Sequence, residues 1–308
     1  LANGSIYNSL KSVFRHVEVS SEEYGCIFAS DKPLLTNPQT LEQRFNGRMV
    51  ETRYFKPYIL KDAFSPLKVS LVKERLGNVD VVNTDTRPLA YLYNLMLWGD
   101  VHGGRALNFL LELKGWQIIT AVLITALFAT VFYRGKTESV YFSIFTTGYA
   151  GMAFSLIVIL AYQARYGYVY EMFGLLMAMF MAGIAAGSYL GEKTRQPLSR
   201  LRLLDTTMIL TLASAPFFFK IEPLFYVLNF LCGLITGWEF AAATLFIKQE
   251  ASRLAGRLYG IDLAGSFLGA LLTAILLVPL LGIQNTIIFV VLLKAVSLIL
   301  LMTVKYEK

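Results

Sequence analysis

Cysteine and histidine are almost absent from this chain of 308 residues, which has two of each. Cys26 and Cys232 lie in regions of different character and form no CxxC pair, which speaks against a disulfide framework and against a thiolate metal site. His16 and His102 stand alone and read as surface residues rather than ligands. No Ser/His/Asp set, no metal-ligand cluster, no GxGxxG after a strand and no phosphate-binding loop can be found. No catalytic, cofactor-binding or metal-ligating residue is therefore assigned. The residues from Leu1 onward do not read as a signal peptide. The opening residues, Leu1 to Leu10, read as the middle of something longer, so an N-terminal part of the same protein is expected to precede them.

What the chain has in abundance is apolar surface. It is 56% hydrophobic, with a mean hydropathy of +0.54, above the usual range of soluble domains. The net charge of +7 does not indicate nucleic acid, because no basic stretch is interleaved with exposed aromatics and most cations fall between apolar runs. Charge is dense over residues 1–115 and confined to short clusters from Trp116 onward, which divides the chain into a soluble part, 1–115, and a membrane part, 116–308. A bilayer core needs about 20 apolar residues in helix. Seven stretches approach this: 116–133, 138–162, 167–190, 203–219, 223–247, 258–281 and 284–304. Helices are expected because lipid offers no partner to free backbone groups. Trp116, Tyr133, Tyr141, Tyr162, Tyr166, Tyr168 and Tyr170 fit interfacial belts.

Glycines recur every four residues at Gly183, Gly187 and Gly191, at Gly256 and Gly260, and at Gly265 and Gly269. Such faces allow close helix approach. Four ionisable residues interrupt the apolar runs: Glu239 in the fifth, Asp262 in the sixth, Lys294 in the seventh, and Glu171 at the mouth of the third. Charge inside a bilayer is costly and finds a partner or water. Glu239, Asp262 and Lys294 thus form a candidate intramembrane polar site, or a structural pairing of Lys294 with Asp262 or Glu239. Basic residues gather on one side of the spans (Arg134, Lys136, Lys193, Arg195, Arg200, Arg202, Lys248, Arg253, Arg257, Lys305, Lys308), and only Arg165 and Lys220 lie between spans on the other. The first side is expected to be cytoplasmic, in a plasma or inner membrane. With seven complete spans, residues 1–115 would then lie outside. A re-entrant 116–133 or a membrane-dipping 88–112 would change that.

In the soluble part, residues 4–15 read as an amphipathic helix with Ile6, Leu10, Val13 and Phe14 on its apolar face. His16–Ser20 and Cys26–Ser30 read as strands of a hairpin joined by the polar turn 21–25. A further helix is expected over 38–46. Glu22-Glu23 reads as a solvated turn and Gly103-Gly104 as a loop.

Two runs resemble the C-terminal end of spermidine synthases: Leu10-Lys11-Ser12-Val13-Phe14-Arg15-His16-Val17, and Gly25-Cys26-Ile27-Phe28-Ala29-Ser30-Asp31-Lys32-Pro33. Arg53-Tyr54-Phe55-Lys56-Pro57 through Ala63-Phe64-Ser65-Pro66 is similar to the tail of that family, with Asp62 one place past its usual His. Val82 to Pro88 with Tyr91 and Trp98, then Gly237-Trp238-Glu239-Phe240 and Gly256 to Gly265, resemble proteins in which a spermidine-synthase-like domain is fused to transporter-like helices. Gly183 through Arg195 is similar to the glycine-rich turn after the second helix of major-facilitator half-bundles.

The resemblance implies a Rossmann-like aminopropyltransferase fold, with decarboxylated S-adenosylmethionine as co-substrate and a polyamine as acceptor. The acidic residues and glycine-rich loop that such chemistry needs would precede this portion. Tyr24 is the nearest counterpart of the family's substrate-side tyrosine, and no catalytic residue carries over. The expected architecture is a mainly α-helical polytopic bundle of about seven spans, preceded by the C-terminal piece of an α/β Rossmann-like domain. Expected partners are the lipid bilayer, the N-terminal part of the same protein, and a polyamine or another small molecule. This portion alone is expected to lack transferase activity. The rival readings are a permease for a cationic or amphipathic solute, with the soluble part a non-catalytic remnant, and a non-catalytic membrane scaffold.

Overall fold

The structure is a computed structural model that describes residues 2–22, 25–49, 51–101, 117, 120, 135–167, 170–247 and 251–304. The chain divides into two compact units, Leu1–Arg105 and Ala106–Lys308.

The first unit opens with helix α1, Ala2–Val13. Strands β1, His16–Val19, and β2, Ile27–Ser30, follow and pair antiparallel, with His16 opposite Ser30 and Val19 opposite Ile27. Among the described residues this hairpin is the only sheet. Helix α2, Pro38–Gly47, starts where its pattern places it: Asn37 Oδ1 accepts from the amides of Gln39 and Thr40 (3.0 and 3.2 Å), and proline follows the cap. Short helix α3, Ile59–Ala63, then α4, Pro66–Gly77, and α5, Leu89–Val101, complete the unit.

The apolar face expected for α1 is not the one it buries. Val13 and Ile6 are exposed, and Gly4, Ser5 and Tyr7 are buried. The cause is the segment after α4. Val79 packs where a side chain on Gly4 would stand. Asn8 Nδ2 donates to the Val79 carbonyl, and Ser9 Oγ donates to the Asn83 carbonyl (2.5 Å). An extended strip with unpaired carbonyls needs donors more than methyl groups, so the small polar face turns inward.

The second unit contains five helical stretches long and apolar enough to cross a membrane. They comprise α6, Lys136–Tyr166; α7, Tyr170–Glu192; α8, Pro197–Phe218; α9, Glu222–Phe246; and a last stretch, 256–303, within α10, Ala251–Leu272, a π-turn Thr273–Leu277, and α11, Val278–Thr303. The count of seven is not reproduced. The expected span 116–133 lies outside the described residues. The expected spans 258–281 and 284–304 run on as one stretch of 48 residues, which would be about 72 Å long if straight. It is not straight. Gly282 has φ 80° and ψ 167°, a conformation open essentially to glycine alone. The chain turns back there, so that Leu258 and Leu301 end in one apolar cluster. Proline at position 279 and the wide π-turn weaken the helix just before the reversal.

The glycine pattern sorts the helix pairs. On α7, a side chain at Gly183 or Gly187 would collide with the backbone of Phe230 or Leu234 on α9; on α9, Gly233 and Gly237 stand likewise against Phe180 and Ile184. Gly265 and Gly269 of α10 press on the backbone of Phe145 and Tyr149 of α6. Gly256 and Gly260 differ from expectation, since nothing lies within 4 Å of a side chain built there. They fall on an outward face of α10 rather than a packed one.

Candidate intramembrane charge site

Four helices each contribute polar side chains to one layer of the bundle. Lys294 stands near the middle of α11 and is fully buried. Its ammonium forms an ion pair with Asp205 of α8 and a second, 3.2 Å, with Oε1 of Glu239 of α9. It also donates to Thr147 Oγ1 of α6 (2.7 Å). Ser297, one turn along α11, donates to Asp205 Oδ2 (2.8 Å). Ser143 and Thr147 reach Glu239 Oε1 and Oε2 at 3.2 and 2.6 Å. All six side chains are buried, and both carboxylates are fully so.

The layer is sealed at both ends. Toward the basic end, Ile144, Leu201, Ala242 and Leu301 belong to one apolar cluster. Toward the other, Met208, Ile235 and Val290 belong to the main core. On each of α8, α9 and α11 the charged residue falls between a member of one cluster and a member of the other. Helical spacing of three, four or seven residues does this, because it keeps successive side chains on one face.

Two features of the site bear on its chemistry. It holds one more acid than base. Thr147, moreover, has a single hydroxyl hydrogen but two acceptors in reach, the Ser143 carbonyl (2.7 Å) and Glu239 Oε2 (2.6 Å), while receiving a hydrogen from Lys294. The Thr147 hydroxyl hydrogen is therefore shared between these two acceptors.

Of the three residues expected to form a polar site, the structure brings Glu239 and Lys294 together and leaves Asp262 elsewhere. Asp262 sits half-buried on the seam between α6 and α10, where Gly148 leaves room for its carboxylate. No ion pair includes it among the described residues. Glu171 is exposed in the first turn of α7, where the helix dipole favours an acid. Asp205 is the residue that sequence reasoning missed. It lies only a few positions from Arg200 and Arg202, so it reads as part of a solvated charged flank. Arg202 itself is folded in: its guanidinium donates to the Leu301 and Val304 carbonyls (3.0 and 2.6 Å), capping the end of α11.

A second polar spot lies nearby. The hydroxyls of Tyr149 and Thr273, the latter at the π-turn, are buried together, and among the described residues no well-formed hydrogen bond reaches either. Among the described residues no group of three or more His, Cys, Asp or Glu is arranged to hold a metal ion. Comparison with protein-family models, with curated proteins and with solved structures finds no match to this chain.

Proposed function

We propose that this chain is the membrane-integral part of a spermidine-synthase-like protein, and that its helical unit is a permease-type bundle in which Asp205 and Glu239 take up a cationic amine in exchange for a proton. The carrying observation is the sealed layer with one acid in excess of base. Two carboxylates against one ammonium leave a place for one positive charge. A proton fills that place in the sealed layer, and an arriving ammonium group displaces it. A cluster serving only as a staple is better built with equal numbers of acids and bases, because each surplus buried charge is costly.

In this reading α10 and α11 are two spans joined at Gly282, and the bundle crosses the membrane six times within the described residues. The ends carrying Lys136, Lys193, Arg195, Arg200, Arg202 and Arg257 are cytoplasmic. For the soluble unit, the order helix α1 then antiparallel hairpin falls on the residues that resemble the end of a spermidine synthase. That favours a polyamine-class amine as the solute.

The test is equilibrium binding of radiolabelled spermidine and putrescine to the detergent-purified chain. Saturable binding of either amine is expected, lost in Asp205→Asn and Glu239→Gln and kept in Asp262→Asn. Absence of saturable binding of both amines to the unaltered chain would contradict the proposal.

A further inference from the structure

A separate feature lies at the basic end of the bundle, away from the charged layer. The turn between α7 and α8 closes a cavity of about 500 Å³ against α9. Lys193, Arg195 and Arg200 line it, together with Trp238, Leu190 and Leu203. Three cations converge there, and no ion pair to a carboxylate includes any of them among the described residues; Glu192, next to Lys193, is exposed. Like charges around one cavity repel one another, and an anion between them relieves that repulsion.

The cavity is also preformed. Arg200 lies over the Trp238 ring, 4.9 Å from its centroid. The Trp238 indole N–H donates to Thr194 Oγ1 (3.1 Å), and the Thr194 amide donates to the Gly191 carbonyl (3.0 Å). Lys193 is placed over Tyr189 in the same way, at 4.9 Å. Side chains fixed in advance lose less entropy on binding. The mouth, in contrast, is apolar: Leu190 and Leu203 are 42% and 52% exposed on helices long enough to face lipid. A tryptophan between a polar pocket and an apolar lip marks the membrane interface.

We infer that this cavity binds the headgroup of an anionic glycerophospholipid, with Lys193, Arg195 and Arg200 around its phosphate and an acyl chain along Leu190 and Leu203. Free phosphate would satisfy the three cations but leaves the apolar lip without a role.

The experiment is native mass spectrometry of the purified full chain titrated with dioleoylphosphatidylglycerol, with dioleoylphosphatidylcholine for comparison. One saturable phosphatidylglycerol is expected, held more tightly than phosphatidylcholine. Lys193→Gln, Arg195→Gln and Arg200→Gln should each weaken it roughly fivefold, since a basic residue near an anionic headgroup contributes about 1 kcal/mol. Arg257→Gln removes the same charge at the same end of the bundle but outside the cavity, and should leave binding within about twofold. Lys193 and Arg195 are exposed turn residues, so their variants should keep the melting temperature of the parent chain. Equal weakening by Arg257→Gln would overturn the site in favour of general attraction. Displacement of the lipid by inorganic phosphate at equal concentration would overturn the lipid assignment in favour of a free anion.

Discussion

Replacing Lys294 by methionine tests the charge layer most severely. The substitution shortens the side chain by one atom and removes the base that faces two fully buried acids. Losing one partner of a buried pair costs about 3–5 kcal/mol in soluble proteins. An unpaired charge at mid-helix costs about 2.5–3.5 kcal/mol on insertion scales. Lys294→Met should fall in this range. Asp205→Asn and Glu239→Gln should be milder, at about 1–3 kcal/mol, because either one leaves a balanced pair with the ammonium. The ordering follows from the surplus acid and would be reversed in a layer with surplus base. Combining Lys294→Met with Asp205→Asn should recover part of the loss, with a coupling of about 1–3 kcal/mol. Combining it with Asp262→Asn should be additive within about 0.5 kcal/mol, since Asp262 lies on another seam. Unfolding of the detergent-solubilised chain by titration with dodecyl sulfate supplies the free-energy differences. A harmless Lys294→Met, or coupling to Asp262 in place of Asp205, would refute the arrangement.

The orientation predicts that single cysteines at positions 195 and 257, in a chain otherwise free of cysteine, are shielded from an impermeant thiol reagent in intact cells while one at position 220 is labelled. The opposite pattern would invert the bundle. The glycine seam between α7 and α9 predicts that Gly187→Val costs at least about 1–3 kcal/mol, because its side chain would meet the Leu234 backbone. Gly260→Ala, into open space mid-helix, should be neutral or stabilising by about 0.5–1 kcal/mol; the same unfolding titration distinguishes the two.

Much of the bundle could be read from the sequence because spanning helices are specified by composition over some 20 residues, a signal that needs no knowledge of neighbours. The hairpin and α2 were legible for a similar reason, since turn residues and the Asn37 cap act locally. Partnerships were harder. Glu239 and Lys294 stood out as charges in long apolar runs, but which acid meets Lys294 depends on the rotation of α8 and α10 about their axes, which a pattern of residues does not fix. Asp205 was hidden by Arg200 and Arg202 in sequence, although the fold turns Asp205 inward and sends Arg202 to cap α11. Gly256 and Gly260 have the same spacing as the glycines that do pack, and only the position of α10 beside α6 separates them. The buried face of α1 went the other way because a distant strip, Val79 to Asn83, supplies carbonyls that only its polar residues can satisfy.

Exchange of a cationic amine for a proton at the sealed layer requires transport that is coupled to a pH gradient. Uptake of radiolabelled putrescine and spermidine into proteoliposomes containing the purified chain, with the lumen buffered more acid than the outside, measures this directly. Uptake is predicted to depend on the acid lumen, to collapse when a protonophore removes the gradient, and to be absent in Asp205→Asn and Glu239→Gln. Uptake no greater than into protein-free liposomes, or uptake unaffected by both substitutions, would contradict it.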